Sequence, residues 1–492
     1  MELTFWLASV VVVMTTLYWL VKKPKHLPPS PGIALPIVGH LYLLEPDPRQ
    51  QFKKWSQKLG DVFSLKLGQE TVVVLNSFDV IKEAFVKLGD AFSDRPTRSF
   101  LVRNVPHITK GLTQSSGHDW REQRTVAYSI LKKFGMGKNI LAEKIGEEVD
   151  AIINELAKEN GRALNIRWLI NISISNIICS IIIGKRFEFH DPKMKQLTTV
   201  INDFARLNSG VLEVNFLPFL QNLSKYKRTA DELISVSFKL RDFATVMVNE
   251  IKKTCGTQCL DNYIVEYVHE MEKKHNSNEE THLDEISLVR NIENLFFAGT
   301  ETTSTTILWG LYFVLRNPEI QKKIYQEIKE QVGTNRTPNI SDKAQLKYLN
   351  AFIMETQRVG SLVPFALTHV CAQDTVLNGF TIPKGAQVIP NLDAVLKDEK
   401  IWGDPENFRP ERFLDEQGNL IKREELIPFS IGRRICLGES LAKMELFLFL
   451  SSMFQRFEFL PADQNIIPSK KDVFGGIVSP EQFDIRCVER RH

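Results

Sequence analysis

The most informative stretch of this chain reads Phe429-Ser430-Ile431-Gly432-Arg433-Arg434-Ile435-Cys436-Leu437-Gly438. Cys436 stands just before an apolar helical pattern from Leu437 to Phe454. Free N–H groups at a helix start and the positive end of the helix dipole favour a thiolate over a thiol. Gly432 permits a tight turn, and Gly438 lets a flat group approach the backbone. The stretch therefore predicts a loop that presents a thiolate ligand.

The remaining cysteines carry no comparable signal. Six cysteines among 492 residues are too few for a disulfide scaffold. A zinc site at Cys255 and Cys259 would need two more ligands nearby, and the sequence offers none. We therefore interpret five cysteines as structural: Cys179, Cys255, Cys259, Cys371 and Cys487.

Composition and periodicity indicate one large, mainly helical domain. The chain is 43% hydrophobic and 25% charged with a net charge of +3, which excludes a disordered chain and a nucleic-acid-binding footprint. Helical patterns cover 284–316 and 319–331, and the few short strand signals predict a small sheet. These strand signals are Ser64–Leu67, Thr71–Leu75 and Gln387–Pro390.

The N-terminus predicts a membrane anchor. The stretch from Leu3 to Val21 contains no charged residue, and Lys22, Lys23 and Lys25 follow it. A cleaved signal peptide, the alternative, would have a basic start and a small-residue cleavage site. We therefore expect a transmembrane anchor at 1–21 and a basic and proline-rich linker at 22–44. Because positive residues stay on the cytosolic side of a membrane, we expect residues 45–492 to form a cytosolic domain.

Five segments together resemble the cytochrome P450 family. The Cys436 stretch matches the cysteine-ligand loop F-x-x-G-x-R-x-C-x-G at every fixed position. In the order that the family requires, the chain also has matches to W-x-x-x-R, the oxygen-activation motif, E-x-x-R and P-E-R-F. These matches lie at Trp120–Arg124, Ala298–Thr303, Glu355–Arg358 and Phe408–Phe413.

The resemblance implies a heme b whose iron is ligated axially by Cys436, the only predicted metal ligand. It assigns propionate contacts to Arg434, Trp120, Arg124, His369 and Arg95. It also implies that Phe429 shields the sulfur and that Gly438 and Ala298 leave room at the cofactor. A buried structural triad would consist of Glu355, Arg358 and Arg412.

The resemblance further implies a monooxygenase that inserts one atom of dioxygen into a lipophilic steroid, fatty acid or xenobiotic. Thr302 and Glu301 would be catalytic, delivering protons to dioxygen. Because the chain lacks a dinucleotide-binding fingerprint, electrons from NADPH would arrive through NADPH-cytochrome P450 reductase, with cytochrome b5 as an additional donor. The anchor, the Pro28–Gly32 spacer and Phe134–Gly137 look like the animal microsomal group, which implies the cytosolic face of the endoplasmic reticulum membrane.

Position along the chain suggests three further sets of residues. A substrate pocket is predicted at Phe100, Phe204, Leu207, Asn294, Phe297, Ala298, Val363, Leu367, Ile477 and Val478. A basic docking face for the reductase is predicted at Lys132, Lys133, Lys138, Arg433 and Lys443. The apolar segment Val214–Leu220 is a candidate for contact with membrane lipid, and burial in the core is its alternative.

Two other functions remain open from the residues. A heme-thiolate isomerase or dehydratase of peroxides needs no external electrons, and a heme-binding sensor or carrier needs no catalysis. The presence of both Glu301 and Thr302 argues against each of them, because neither function needs proton delivery to dioxygen.

Overall fold

The computed structural model describes residues 2–21, 26–136, 139–254, 261–463 and 467–490. Several residues named above therefore lie outside the described residues: Lys22, Lys23, Lys25, Lys138, Cys255 and Cys259.

Helices dominate the described chain. They are α1 (Glu2–Val21), α2 (Arg49–Leu59), α3 (Phe78–Lys82), α4 (Phe100–Asn104), α5 (Gly111–Gln114), α6 (Gly117–Lys133), α7 (Asn139–Lys158), α8 (Arg167–Ile182), α9 (Pro192–Ser209), α10 (Leu212–Phe216), α11 (Ser224–Thr254), α12 (Tyr263–Asn276), α13 (Glu285–Arg316), α14 (Pro318–Gln331), α15 (Lys347–Gly360), α16 (Leu392–Leu396), α17 (Glu399–Trp402) and α18 (Glu439–Arg456). Short 3₁₀ turns lie at Leu41–Leu43, Pro218–Asn222, Ile340–Ala344 and Pro410–Phe413, and a π-turn lies at Glu83–Lys87.

Helix α13 is the centre of the fold and packs against α8, α11, α15 and α18. It begins where the Asp284 side chain accepts the Ser287 N–H, and it ends at Asn317 because Pro318 starts the next helix. Both helical patterns predicted from 284 to 331 are thus confirmed. The third predicted helix begins at Glu439 instead of Leu437, because Leu437 and Gly438 still belong to the cysteine loop.

The strands form small separate sheets. One sheet has the order β1 (Val62–Leu67), β2 (Glu70–Leu75), β7 (Gln387–Pro390) and β4 (His369–Val370), with β2 and β7 parallel. The three predicted strands all lie in this sheet, so those predictions are confirmed. The other strands are β3 (Ala163–Leu164), β5 (Thr375–Leu377), β6 (Phe380–Ile382), β8 (Phe457–Pro461), β9 (Asp472–Val473), β10 (Ser479–Pro480) and β11 (Ile485–Glu489).

The predicted anchor segment forms α1, and its described side chains, among them Phe5, Trp6 and Leu7, are exposed. Across the residues that the structure describes, however, no helix combines the length and apolar character needed to cross a membrane. A mainly helical fold with small sheets is confirmed, and the transmembrane helix stays a prediction.

A capping box fixes the chain just before α15. The Asn339 side chain accepts the Ser341 N–H, and the Asp342 carboxylate accepts the Asn339 N–H at 2.8 Å. Arg336 also donates two hydrogen bonds of 2.7 Å to Asp342. These bonds hold the pKa of Asp342 below its usual range, with the Arg336 contact as the largest cause. The capping box thereby positions α15, which carries Glu355 and Arg358.

We predict that Asp342→Asn lowers the unfolding free energy by about 1–2 kcal/mol at neutral pH. A carboxylate whose pKa is lowered by folding stabilises the folded state at pH values above its pKa in the unfolded chain, about 3.9. This stabilisation is lost as the pH falls through the pKa of the carboxylate in the folded state. The difference in urea midpoint between wild type and variant should therefore shrink below about pH 4. Asp203→Asn, which removes an exposed pair with Arg206, should change little at any pH. An Asp342→Asn difference that persists unchanged in acid would contradict the assignment.

Candidate functional site

The cysteine loop is held in shape by backbone contacts. The Cys436 N–H donates to the Phe429 carbonyl at 3.1 Å, and the Ile435 N–H donates to the Gly432 carbonyl at 3.2 Å. Gly432 has a φ of 82°, and a Cβ there would collide with the Phe85 carbonyl. In the described part of the chain, apart from the adjoining residues, no atom lies within 4 Å of a Cβ built on Gly438. The loop therefore requires glycine at 432 and leaves open space at 438.

The Cys436 residue is exposed overall, but protein atoms surround its thiol. Burial raises the pKa of its thiol, while the Gly438 N–H and the Arg124 charge act in the opposite direction. The helix start was predicted to favour the thiolate, but burial outweighs that effect. A bound metal ion would deprotonate the thiol directly.

Three arginine side chains converge beside the cysteine loop. Arg95 donates to the carbonyls of Thr113, Leu367 and Thr368 at 2.9–3.1 Å. The Leu367 and Thr368 side chains play no part in these bonds. Arg95 is thus fixed by backbone acceptors alone.

Backbone carbonyls also hold the other two guanidinium groups. Arg434 donates to the carbonyls of Ser93 and Ser115, and Arg124 donates to the carbonyl of Ile435 at 2.6 Å. Among the residues described, none of the three arginines makes an ion pair with a carboxylate. Burial, followed by the neighbouring Arg95 and Arg124 charges, lowers the pKa of Arg434 to about 8. We call Arg95, Arg124 and Arg434 the arginine cluster.

Trp120 completes this arrangement. The Arg434 guanidinium stacks on its ring at 3.8 Å, and the Arg124 guanidinium lies 5.9 Å from the ring. Trp120 is buried, and its Nε1–H has no partner in the described part of the chain. An unpaired buried donor amid unpaired cations is unfavourable unless an anion completes the site. These residues fit the carboxylate groups of a heme.

The predicted propionate partner His369 lies next to this cluster but faces the protein. It is buried in β4, its Nδ1 is 2.6 Å from the Phe92 carbonyl, and its ring stacks on Phe85 at 4.1 Å. Burial and the neighbouring Arg95 charge hold the pKa of His369 well below its usual value. His369 therefore supports the cluster through neutral contacts.

The middle of α13 presents an open face. Ala298 is exposed, whereas Phe296, Thr300 and Thr303 are buried. The Thr302 hydroxyl donates to the Ala298 carbonyl at 2.7 Å and lies on the same face. Ala298 and Thr302 thus border an opening in the helical core, as a cofactor-binding face requires.

Glu301 points elsewhere. Its carboxylate accepts a long hydrogen bond from Thr305, 3.4 Å, and lies near Arg167 at the start of α8. Burial raises the pKa of Glu301, and the Arg167 charge opposes that shift. The structure therefore does not bring Glu301 and Thr302 into contact, because consecutive helix residues point about 100° apart.

The predicted pocket residues divide by burial. Leu367 is 47% exposed and Ala298 is exposed, whereas Phe100, Leu207 and Val478 are buried in the core. The Asn294 carboxamide accepts the N–H groups of Leu112 and Thr113, so it fixes the backbone beside the arginine cluster. The half-buried members are Phe204, Asn294, Phe297, Val363 and Ile477, and Phe204 packs edge-on to Phe297 at 5.0 Å.

The predicted structural triad is assembled. Glu355 receives Arg358 Nε at 2.7 Å and Arg412 Nε at 3.0 Å, and all three residues are buried. The remaining donors of Arg358 reach the Leu396 carbonyl, and those of Arg412 reach the Trp402 carbonyl. Arg412 Nη1 also pairs with Asp404 at 3.0 Å, so two carboxylates face the two guanidinium groups.

The predicted basic face is largely paired. Lys133 contacts Glu266, Arg433 contacts Asp90 at 2.6 Å, and Lys443 contacts Glu439 at 2.6 Å. Lys132 is exposed near them at the end of α6. Pairing reduces the net positive charge of this surface.

Sequence reasoning missed a buried glutamate on α18. Glu445 accepts the Thr303 hydroxyl at 2.9 Å, and its Oε1 has no partner in the described chain. Burial raises its pKa to about 8. An acidic residue within the apolar run of α18 was the available signal. This contact joins α18, which follows Cys436, to α13 beside Thr302.

We predict that Glu355→Gln destabilises the protein by about 3–5 kcal/mol, because buried Arg358 loses its carboxylate partner and Arg412 keeps just the more exposed Asp404. The loss should appear as a lower thermal midpoint by circular dichroism. Glu399→Gln, which removes an exposed pair with Lys53, is the matched control and should shift the midpoint little. Equal shifts in the two variants would refute the structural role of the triad.

Comparison with known proteins supports the same interpretation. The sequence profile of the family described as Cytochrome P450 matches residues 28–487. Cytochrome P450 2U1 of Homo sapiens is 38% identical over 435 residues, covering 88% of this chain and 79% of that protein. Cytochrome P450 2J3 of Rattus norvegicus is 36% identical over 441 residues, covering 89% and 87%.

A relative outside the vertebrates covers more of the chain. Cytochrome P450 18a1 of Drosophila melanogaster is 32% identical over 496 aligned positions, covering 98% of this chain and 91% of that protein. With a family match across most of its length and relatives above 30% identity, this chain belongs to the cytochrome P450 family.

Proposed function

We propose that this protein is a heme-thiolate monooxygenase that inserts one atom of dioxygen into a lipophilic organic substrate. The proposal rests on one observation above all: the arginine cluster and the unpaired Trp120 Nε1–H lie beside the Cys436 loop. Heme bound there would supply dioxygen activation, with a thiolate ligand that favours O–O cleavage. Cys436 would hold the heme iron through its sulfur, with Phe429 beside it.

The chain's own residues would bind and orient the cofactor. Arg95, Arg124, Arg434 and the Trp120 N–H would neutralise and position its carboxylates. Gly438 and Ala298 would leave space for the plane of the cofactor. A Cβ at Gly438 would meet no neighbouring atom of the described chain, and Ala298 is exposed. These contacts are those that a dianionic, planar group requires.

Thr302 would hold a proton next to the reacting oxygen. Its hydroxyl already lies on the open face of α13, where it donates to the Ala298 carbonyl. Glu301 is a less direct contributor, since its carboxylate faces Arg167. We propose that Glu301 exchanges protons with its surroundings and reaches Thr302 only through a side-chain rotation or through water.

The substrate and the partners belong to the same proposal. Apart from Asn294, the exposed and half-buried pocket residues, such as Leu367, Phe297 and Val363, are apolar, which favours a steroid, fatty acid or xenobiotic. Electrons would come from NADPH through NADPH-cytochrome P450 reductase, with cytochrome b5 as an additional donor, at the face that carries Lys132 and Arg433.

We also propose attachment to the endoplasmic reticulum membrane, with residues 45–492 as one cytosolic catalytic domain. The uncharged stretch from Leu3 to Val21 and the lysines after it support an anchor at 1–21 and a linker at 22–44. In the Val214–Leu220 segment, Val214 is buried and Phe219 is 55% exposed, so Phe219 is the side chain available to lipid.

The spectrum of the reduced, carbon-monoxide-bound protein tests the proposal. Wild type should show the Soret band of a thiolate-ligated heme, and Cys436→Ser should lose it because an alcohol is a far weaker ligand. The matched control is Cys371→Ser, which replaces a buried thiol that donates to the Gln373 carbonyl. This variant should keep the band. Folded wild-type protein without a thiolate band would overturn the proposal. Hydroperoxide turnover that needs neither NADPH nor reductase would favour the isomerase instead.

Thr302→Ala should lower the ratio of product formed to NADPH consumed about 10-fold or more, since a positioned proton donor contributes about 10²–10⁴-fold. The measurement uses reductase and a substrate identified by screening steroids, fatty acids and xenobiotics. Thr302→Ser should retain most coupling. Thr306→Ala removes the equivalent hydroxyl one turn later and should preserve the ratio. Equal coupling in wild type and Thr302→Ala would exclude this role.

A further inference from the structure

Two histidines and a glutamate meet on the outer side of α6. His118 and Glu122 are four residues apart and share one face of the helix. His282, in the segment before α13, lies against them, so that one ligand atom from each residue is within 4.8 Å of the others. Trp120 and Arg124 point to the opposite side of α6, about 200° away. The cluster is therefore separate from the heme-binding residues.

The segment that carries His282 is fixed to α6 on both sides of the residue. The His282 N–H donates to Glu122 Oε2 at 2.7 Å, and its carbonyl accepts Gln123 Nε2 at 2.8 Å. Gln123 is fully buried, and its Oε1 accepts hydrogen bonds from Tyr267 and Asn291, each 2.9 Å. The backbone positions of all three candidate ligands are thus set before any ion binds.

The charges at this position already favour a cation. Glu122 Oε1 accepts the Lys274 ammonium at 2.5 Å and the Thr281 hydroxyl at 2.8 Å. Asp119 stands one residue after His118, and its Oδ1 is buried with no partner in the described chain. A divalent cation would replace the single positive charge of Lys274 with two positive charges. It would also lie near a second carboxylate, that of Asp119.

We propose that His118, Glu122 and His282 form a binding site for a divalent transition-metal ion, for which Zn²⁺ is the best match. Two imidazoles and one carboxylate suit Zn²⁺, which accepts three protein ligands and a water in tetrahedral coordination. Mg²⁺ and Ca²⁺ prefer sets made of oxygen ligands only. The ion displaces the Lys274 ammonium from Glu122.

The bound ion joins α6 to the segment that leads into α13. Both helices also border the proposed heme site, through Trp120 on one and Ala298 on the other. An ion that binds the folded chain stabilises it by mass action. The thermal midpoint of the heme-loaded protein therefore rises with Zn²⁺ concentration, and chelation reverses the rise.

Isothermal titration of the untagged, full-length, heme-loaded protein with ZnCl₂ tests the site. We expect one Zn²⁺ per chain, with His118→Ala and His282→Ala each weakening binding at least tenfold. His269→Ala, an exposed histidine on α12, leaves the affinity unchanged. Lys274→Ala tightens binding, because it removes the competing ammonium.

Three results would overturn the site: no Zn²⁺ bound by wild type, equal affinity in wild type and His118→Ala, or a uniform loss across all three histidine variants. His118 is exposed, so its substitution leaves the fold intact, which an unchanged thermal midpoint without zinc verifies. Should His282→Ala unfold, the His118→Ala and Lys274→Ala titrations decide the question by themselves.

Discussion

Three neighbouring guanidinium groups, one buried and two half-buried, have no carboxylate partner in the described chain and impose the strongest constraint on this molecule. Arg95, Arg124 and Arg434 come from separate segments of the chain, and backbone carbonyls alone receive their hydrogen bonds. Their donors join Ser93, Ser115 and Ile435 into one framework. Burying cations close to one another is costly unless an anion is added. The segments that form the site are thus arranged around a negative charge that the described protein does not supply.

The same framework explains why α6 and the cysteine loop lie together. Arg124 on α6 donates to the Ile435 carbonyl, directly before Cys436, and Trp120 on α6 stacks against Arg434 of the loop. Gly432 then allows the loop to pass tightly over the Phe85 carbonyl. The position of the thiol therefore depends on cation stacking and backbone hydrogen bonds, in addition to the helix start.

Helix α13 supplies the opposite side of the site. The helix is buried along most of its length but exposes Ala298 in its middle. The Thr302 hydroxyl donates a hydrogen bond to the Ala298 carbonyl, whereas the Thr303 hydroxyl donates to the buried Glu445 of α18. Two adjacent threonines thus face different surroundings, one toward the opening and one toward the packed core. This division keeps one hydroxyl accessible while the next fixes α13 to the helix that follows Cys436.

Local patterns in the sequence determined a large part of the secondary structure and one ion pair of the buried triad. Helix α13, the strands Thr71–Leu75 and Gln387–Pro390, and the pairing of Glu355 with Arg358 follow from residue spacing, because helix periodicity and strand alternation act over a few positions. Conversely, the backbone acceptors of Arg434, the turn of Glu301 toward Arg167, and the meeting of His118 with His282 required the tertiary structure. Each of these contacts joins residues more than one hundred positions apart. Their geometry depends on how helices pack, which no local spacing in the chain encodes.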